Sequence, residues 1–431
     1  MSVLSDLRAA RKVIGNALAS RNTRRALAAR LADAEAPAEG SVTIAVYFAD
    51  PAVNLYQVRQ WYAPLAELAK SHGIAIIARS PSSSLIMLNE SPVPVVYCRA
   101  VTDIERFIDR QDIRIVLYVN QNTKNFQMFR YSRMWHVFIN HGESDKMYMT
   151  TNQFKAYDYA FVAGQAARDR LSRKLWDFDI DKRAIAIGRP QADHLAGEAP
   201  YATDDRTVVL YAPTWEGDRP TAAYGSIATH GVALADAVLA SPAHRLVYRP
   251  HPRSGVLDPA YRAANQQIIA AIAAANARDS SAKHVFDDGP EIGWQLRADV
   301  AITDISAMVY DRLATGRPLL VTLPSSEAAE LDEGGYLASA AWLSAADAPN
   351  VLELVDRVQH DAPALENLQF WANHHFGDTT PGAATERFHA AIARLLAEWE
   401  RNAAVHAGDD DLPDDSGDPL DDTDDEGMPG V

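Results

Sequence analysis

The chain has one cysteine, Cys98, among 431 residues. An internal disulfide and a cysteine-based metal cluster are therefore both excluded, and the composition suits a reducing compartment. No run of 18 uninterrupted apolar residues occurs, so no segment reads as a membrane-spanning helix. The opening residues MSVLSDLRAARKVIGNALAS place charges where a secretion signal needs its apolar centre, so no such signal is read there. No metal-ligand spacing is present, and neither a metal nor a cofactor is expected. A basic stripe is also missing, which argues against a nucleic-acid partner. The net charge is −16, but eleven acidic residues and no basic one lie in residues 408–431, and removing them takes −16 to −5.

Over its full length the chain has 48% hydrophobic and 23% charged residues, as in an ordinary globular protein, and that length suits two domains. Residues 1–35 read as a basic amphipathic helix, with Arg8, Arg11, Lys12, Arg21, Arg24, Arg25 and Arg30 placed to meet either solvent or an anionic membrane surface. Residues 42–197 and 205–401 each alternate short apolar runs with helical segments, the pattern of a parallel sheet covered on both faces. In the first half the runs are 42–48, 74–79, 84–88, 93–98, 113–119, 136–140 and 159–164, with 184–190 closing the half and a helix expected over Tyr56–Ser71 after the first run. In the second they are 207–213, 245–250, 284–286, 300–303 and 319–323. The predicted architecture is α/β, two Rossmann-like parallel-sheet domains facing a cleft. Residues 362–401 are expected to pack across the halves or onto the second. Residues 407–431 are Asp, Gly and Pro with little that is apolar, a composition that predicts a disordered acidic tail.

Polar groups collect at four strand ends. Asn140, His141 and Gly142 close the run 136–140, with Lys146 one turn on, and a histidine there is placed to accept a proton near neutral pH or simply to make a turn. Pro213 ends a strand and is followed by Thr214 and Trp215. In YRPHPR (248–253) two prolines hold His251 on extended backbone between Arg249 and Arg253, side chains suited to phosphate oxygens. Thr303, Asp304 and Ser306 precede an apolar-periodic helix, so Ser306 reads as a cap at a helix N-terminus, where an anion binds readily. Three of these sets follow strands of the second half and should leave one sheet edge; His141 leaves the other half and could face them. That is the logic of an inverting group transferase, with a diphosphate-linked donor on one side and a base on the other.

The same residues resemble the CDP-glycerol glycerophosphotransferase family, the teichoic-acid glycerophosphate polymerases and primases. The resemblance spans roughly His136 to Ala391. It rests on His141, Gly142 and Lys146, GRPQAD (188–193), LYAPTW (210–215), RPHP (249–252), TDISA (303–307) with Tyr310, Asp311 and Arg317–Pro318, and FGDTTPGAATER (376–387). It implies a GT-B fold and transfer of glycerol phosphate from CDP-glycerol, or a related CDP-polyol, to a hydroxyl of a lipid-linked glycopolymer. The expected location is cytoplasmic, with peripheral contact at the inner membrane face. His141 and His251 would be catalytic. Thr214, Trp215, Arg249, Arg253, Thr303, Asp304 and Ser306 would hold the donor, while Asn140, Gly142 and Lys146 would lie on the acceptor side. The chain departs from the family pattern at Asn140, where Trp is frequent, and at Glu143, Ser144 and Asp145. A nucleotide-sugar glycosyltransferase and a non-catalytic donor-binding protein are alternatives consistent with the same residues.

Overall fold

The computed structural model describes residues 20–142, 151–289, 292–326, 328–329 and 335–407. Its first sheet has seven parallel strands: β1 (Ile44–Phe48), β2 (Ile74–Ala78), β3 (Val95–Tyr97), β4 (Ile115–Tyr118), β5 (Trp135–Phe138), β6 (Tyr159–Val162) and β7 (Ala184–Ala186). Their spatial order is β3-β2-β1-β4-β5-β6-β7. The second sheet has six: β8 (Thr207–Ala212), β9 (His244–Tyr248), β10 (Val285–Phe286), β11 (Val300–Thr303), β12 (Leu319–Thr322) and β13 (Trp342–Leu343). Their order is β10-β9-β8-β11-β12-β13, again all parallel. Helices cover both faces of each sheet, which is why β1, β2, β4, β11 and β12 are buried along their whole length and read as continuous apolar runs. Two doubly wound domains of this kind are the GT-B-like arrangement that the sequence predicts.

Each sheet reverses its winding direction once, between β1 and β4 and between β8 and β11. Crevices for ligands open at the carboxyl ends of such strand pairs. In the second sheet that point lies between Thr214, just past β8, and Ser306, just past β11.

The chain then returns to its first half. The helix Ala362–Phe376 packs Leu368, Ala372 and Phe376 into the core of the second sheet. The helix Ala383–Val405 packs Phe388, Ala391, Ile392 and Leu395 into the core of the first. Residues 362–401 thus cross between the halves. The GRPQAD turn clasps the returning segment. The Asp193 carboxylate accepts the backbone N–H groups of Gly382 at 3.0 Å and Thr385 at 2.8 Å, capping the helix start. Gly188 has φ +76°, and a Cβ there would lie 2.2 Å from the Arg387 guanidinium and 3.0 Å from the Phe376 carbonyl oxygen. The left-handed backbone and the close Phe376 carbonyl both disfavour a residue with a side chain at this position.

Two local expectations need correction. The run 84–88 belongs to a helix, Pro81–Glu90, not a strand. Pro81 sits at its first turn, where proline favours a helix, and a five-residue apolar run carries no period that separates the two states. The helix expected over Tyr56–Ser71 is two, Leu55–Arg59 and Tyr62–Leu68. The edge strand β13 is only two residues long and had no signal in the sequence. At the N-terminus residues 20–32 are helical, with Leu27 buried and Arg30 donating to the Leu88 carbonyl and the Asn89 side chain at 2.8 and 3.0 Å. The remainder of the basic segment and the acidic tail beyond residue 407 lie outside the described residues.

Candidate active site

A cavity of about 940 Å³ opens at the carboxyl edge of the second sheet and is lined by Thr214, Trp215, Arg249, His251 and Ser306. All five come from strand ends that the parallel order brings to one edge. Ser306 caps the helix Ala307–Leu313, its hydroxyl accepting the Met308 N–H at 3.2 Å. The free N–H groups of that first turn face the edge where a phosphate would be stabilised.

Thr303 and Asp304 lie beneath the cavity and are fully buried. The Asp304 carboxylate accepts the Thr214 N–H at 2.7 Å, the Ser226 N–H at 3.1 Å and the Thr322 hydroxyl at 2.6 Å. It therefore ties the segment after β8 to β11 and β12. Burial pushes its carboxyl up to about 6, against the pull of those hydrogen bonds.

The neighbouring loop is held from two sides. Glu216 accepts the N–H groups of Gly255, Leu257 and Asp258 at 2.9, 2.7 and 3.0 Å. Arg253 stacks on the Trp215 ring with its guanidinium carbon 3.8 Å from the centroid. Arg249 is engaged too, at 2.5 Å from Asp287 and 2.9 Å from the Gly289 carbonyl. The sequence offers both arginines as phosphate ligands; the structure shows their charge already matched or stacked.

His251 itself is set by its own loop. Its Nδ1 accepts the Arg253 backbone N–H at 3.1 Å, so in the neutral ring Nε2 carries the proton. Burial, with Arg253 close by, holds its pKa below the usual imidazole value. It is a neutral hydrogen-bond donor towards the cavity.

His141 is set the opposite way. It follows β5 after Asn140, whose φ of 56° turns the chain sharply in a conformation that asparagine tolerates. Nδ1 lies 2.9 Å from the Val119 carbonyl oxygen, which only a donating Nδ1–H can satisfy, leaving an unprotonated Nε2. Burial lowers its pKa, partly offset by that hydrogen bond and by Asp50, while Arg189 adds to the lowering. Behind it is a network that the sequence did not reveal. Asp50 accepts from Asn54, Asn120 and Asn122 at 2.6, 2.8 and 2.7 Å. Scattered amides carry no spacing signature, so only the fold could assemble them.

Asn140 and Gly142 line a small cavity of about 40 Å³ at the same strand end, and Lys146 lies outside the described residues. His141 does not line the large cavity. The two halves also meet in a partly buried ion pair, Arg189 of the GRPQAD turn with Asp311 of the Ala307–Leu313 helix. Among the described residues no group of three or more His, Cys, Asp or Glu side chains converges as a metal site. Nor is any described helix long and apolar enough to cross a membrane.

The sequence profile of the family described as CDP-Glycerol:Poly(glycerophosphate) glycerophosphotransferase matches residues 132–393, more than half of the chain, and contains every motif just placed. The chain belongs to that family. It is a CDP-glycerol glycerophosphotransferase-type enzyme. Among curated proteins none matches it by sequence. Solved structures agree on the fold. A putative UDP-N-acetylglucosamine 2-epimerase from Listeria monocytogenes superposes with a TM-score of 0.53 at 15% identity, covering 83% of this chain and 98% of that one. The wall teichoic acid polymerase TagF gives 0.52 at 13% identity, covering 92% and 99%. A variant of TagF soaked with CDPG gives 0.51 at 13%, with the same coverage.

Proposed function

We propose that the enzyme transfers glycerol phosphate, or a related polyol phosphate, from a CDP-activated donor to a hydroxyl of a cell-envelope glycopolymer, releasing CMP. The acceptor hydroxyl gives its proton to His141 Nε2 as its oxygen attacks the phosphorus that bears the polyol. The bond from that phosphorus to the bridging oxygen breaks, and the bridging oxygen leaves with its electron pair on CMP. His251 donates Nε2–H to the donor's diphosphate, joined by the first-turn N–H groups at Ser306 and by Thr214. Trp215, Arg253 and Asp304 act one step back by holding the loops that carry Thr214 and His251.

The observation that carries this reading is the opposite tautomers of the two histidines: one presents a lone pair, as a base must, and the other a proton, as a phosphate ligand must. The test is CMP release from CDP-glycerol in the presence of a lipid-linked acceptor. Absence of CDP-glycerol binding by the full chain would sink the reading. Contact with an anionic membrane through the arginines of residues 8–30 belongs to the same proposal. It predicts co-flotation with anionic but not neutral vesicles, weakened on deleting residues 1–19, which carry Arg8, Arg11 and Lys12; Arg30 contributes least, being bonded to Leu88 and Asn89.

A further inference from the structure

A second cavity, of about 480 Å³, lies between the halves on the far side of Ile292, a residue that also lines the donor cavity. We infer that it is the acceptor subsite and that it is built for an uncharged, hydroxyl-bearing sugar or polyol unit rather than for a phosphate-bearing one. The inference rests on the transfer reading above and adds the chemical class of the acceptor's reacting end.

Three observations carry it. The first is position. Tyr56, on its wall, packs edge-on against the His141 ring with centroids 5.7 Å apart, which places the cavity one ring away from the base. The second is charge. Among the described residues lining the cavity the cations are Arg59 and Arg189 and the anions Glu90 and Asp311, and they are paired one to one. Arg59 meets Glu90 through two bonds of 2.7 and 2.8 Å, and Arg189 meets Asp311. A phosphate would have to displace a carboxylate from its arginine, and the cavity would then hold an unmatched anion. The third is hydrogen-bond polarity. Gln60 is a residue of this wall, and its side-chain oxygen is covered yet has no hydrogen-bond partner among the described residues, with a Cβ placed on Gly142 3.9 Å from it. Turned toward the cavity, this orphaned acceptor is satisfied by a hydroxyl, which can donate, and not by an ionised phosphate oxygen, which cannot. Tyr56, half exposed, adds the flat apolar face on which a sugar ring stacks.

The test uses the full-length protein and two probes, the alkyl glycoside of a neutral disaccharide and the same glycoside capped with glycerol phosphate. Saturation-transfer NMR should show the neutral glycoside bound by the wild type and lost in Gln60→Met, with the CDP-glycerol thermal shift retained as the folding control. CMP release with CDP-glycerol should be about tenfold more efficient for the neutral probe. Glu90→Gln, which leaves Arg59 unmatched, should shift that preference several-fold toward the capped probe. No binding of the neutral probe, binding unaffected by Gln60→Met, or turnover favouring the capped probe overturns the inference while leaving the transferase reading intact. Failure of CDP-glycerol itself to bind overturns both.

Discussion

The Thr214 backbone N–H donates to the Asp304 carboxylate at 2.7 Å, a bond that ties together the two strand ends between which the donor crevice opens. Among the described residues Asp304 has no cationic hydrogen-bond partner; N–H and O–H donors stabilise it.

Alanine at this position removes the acceptor of the Thr214 and Ser226 N–H groups and of the Thr322 hydroxyl. Asp304→Ala should cost roughly 2–4 kcal/mol in urea denaturation. In the variant that remains folded, the donor KM should rise more than kcat falls, because the altered loop carries Thr214 and not the base. An unchanged donor KM would remove Asp304 from the positioning role.

His141 is expected to be the group whose protonation stops the reaction. Since burial lowers its pKa, the acidic limb of kcat/KM should lie below the ordinary imidazole value near 6.5, with full activity at pH 7. His141→Ala should lower kcat by about 10²–10⁴ and leave CDP-glycerol binding in place. A limb above pH 7, or a variant with wild-type turnover, would assign the base elsewhere.

His251→Ala should act on the donor instead. Loss of one hydrogen bond to a charged diphosphate corresponds to about 1.5–3 kcal/mol, roughly ten- to a hundredfold weaker CDP-glycerol binding by calorimetry. His251→Asn, which keeps an N–H donor, should recover part of it.

His375 makes a stability prediction. It is buried in the Ala362–Phe376 helix against Tyr310, with neither ring nitrogen hydrogen-bonded among the described residues, and burial pushes its pKa down to about 3. The unfolded chain therefore binds a proton that the native state does not between pH 6.5 and 3. Stability from this group is present above the unfolded pKa and lost as pH falls, by up to about 1.4 kcal/mol per pH unit. His375→Phe should lose roughly 2 kcal/mol less than the wild type between pH 7 and 5 in urea titrations. Parallel pH curves would show that the histidine is not buried neutral.

How much of this was legible beforehand differs by feature. The alternation of apolar runs with helical segments determined two parallel sheets, because a strand covered on both faces must be apolar throughout and a crossover must be helical. Parallel order then placed Thr214, His251 and Ser306 on one edge without further information, since every strand of such a sheet ends on the same side. Local chemistry was readable as well: Ser306 before an apolar-periodic run is a cap, and it caps.

Pairing was not readable. Arg249 and Arg253 follow one motif as two free cations in sequence, yet Asp287 neutralises the first and Trp215 covers the second. Asp304, in sequence a residue of its own turn, proves to hold a segment some 90 positions away. The tautomers of His141 and His251 depend on the Val119 carbonyl and the Arg253 N–H, and the cavity beside Tyr56 depends on Arg189 meeting Asp311 across the halves. The sequence by itself determined which residue types stand at which strand ends, because that follows from local periodicity and the parallel rule. Only the tertiary structure decided which charges are matched, which nitrogen holds the proton and which polar atom is left unpaired, because each depends on a partner brought close by folding and marked by no spacing along the chain.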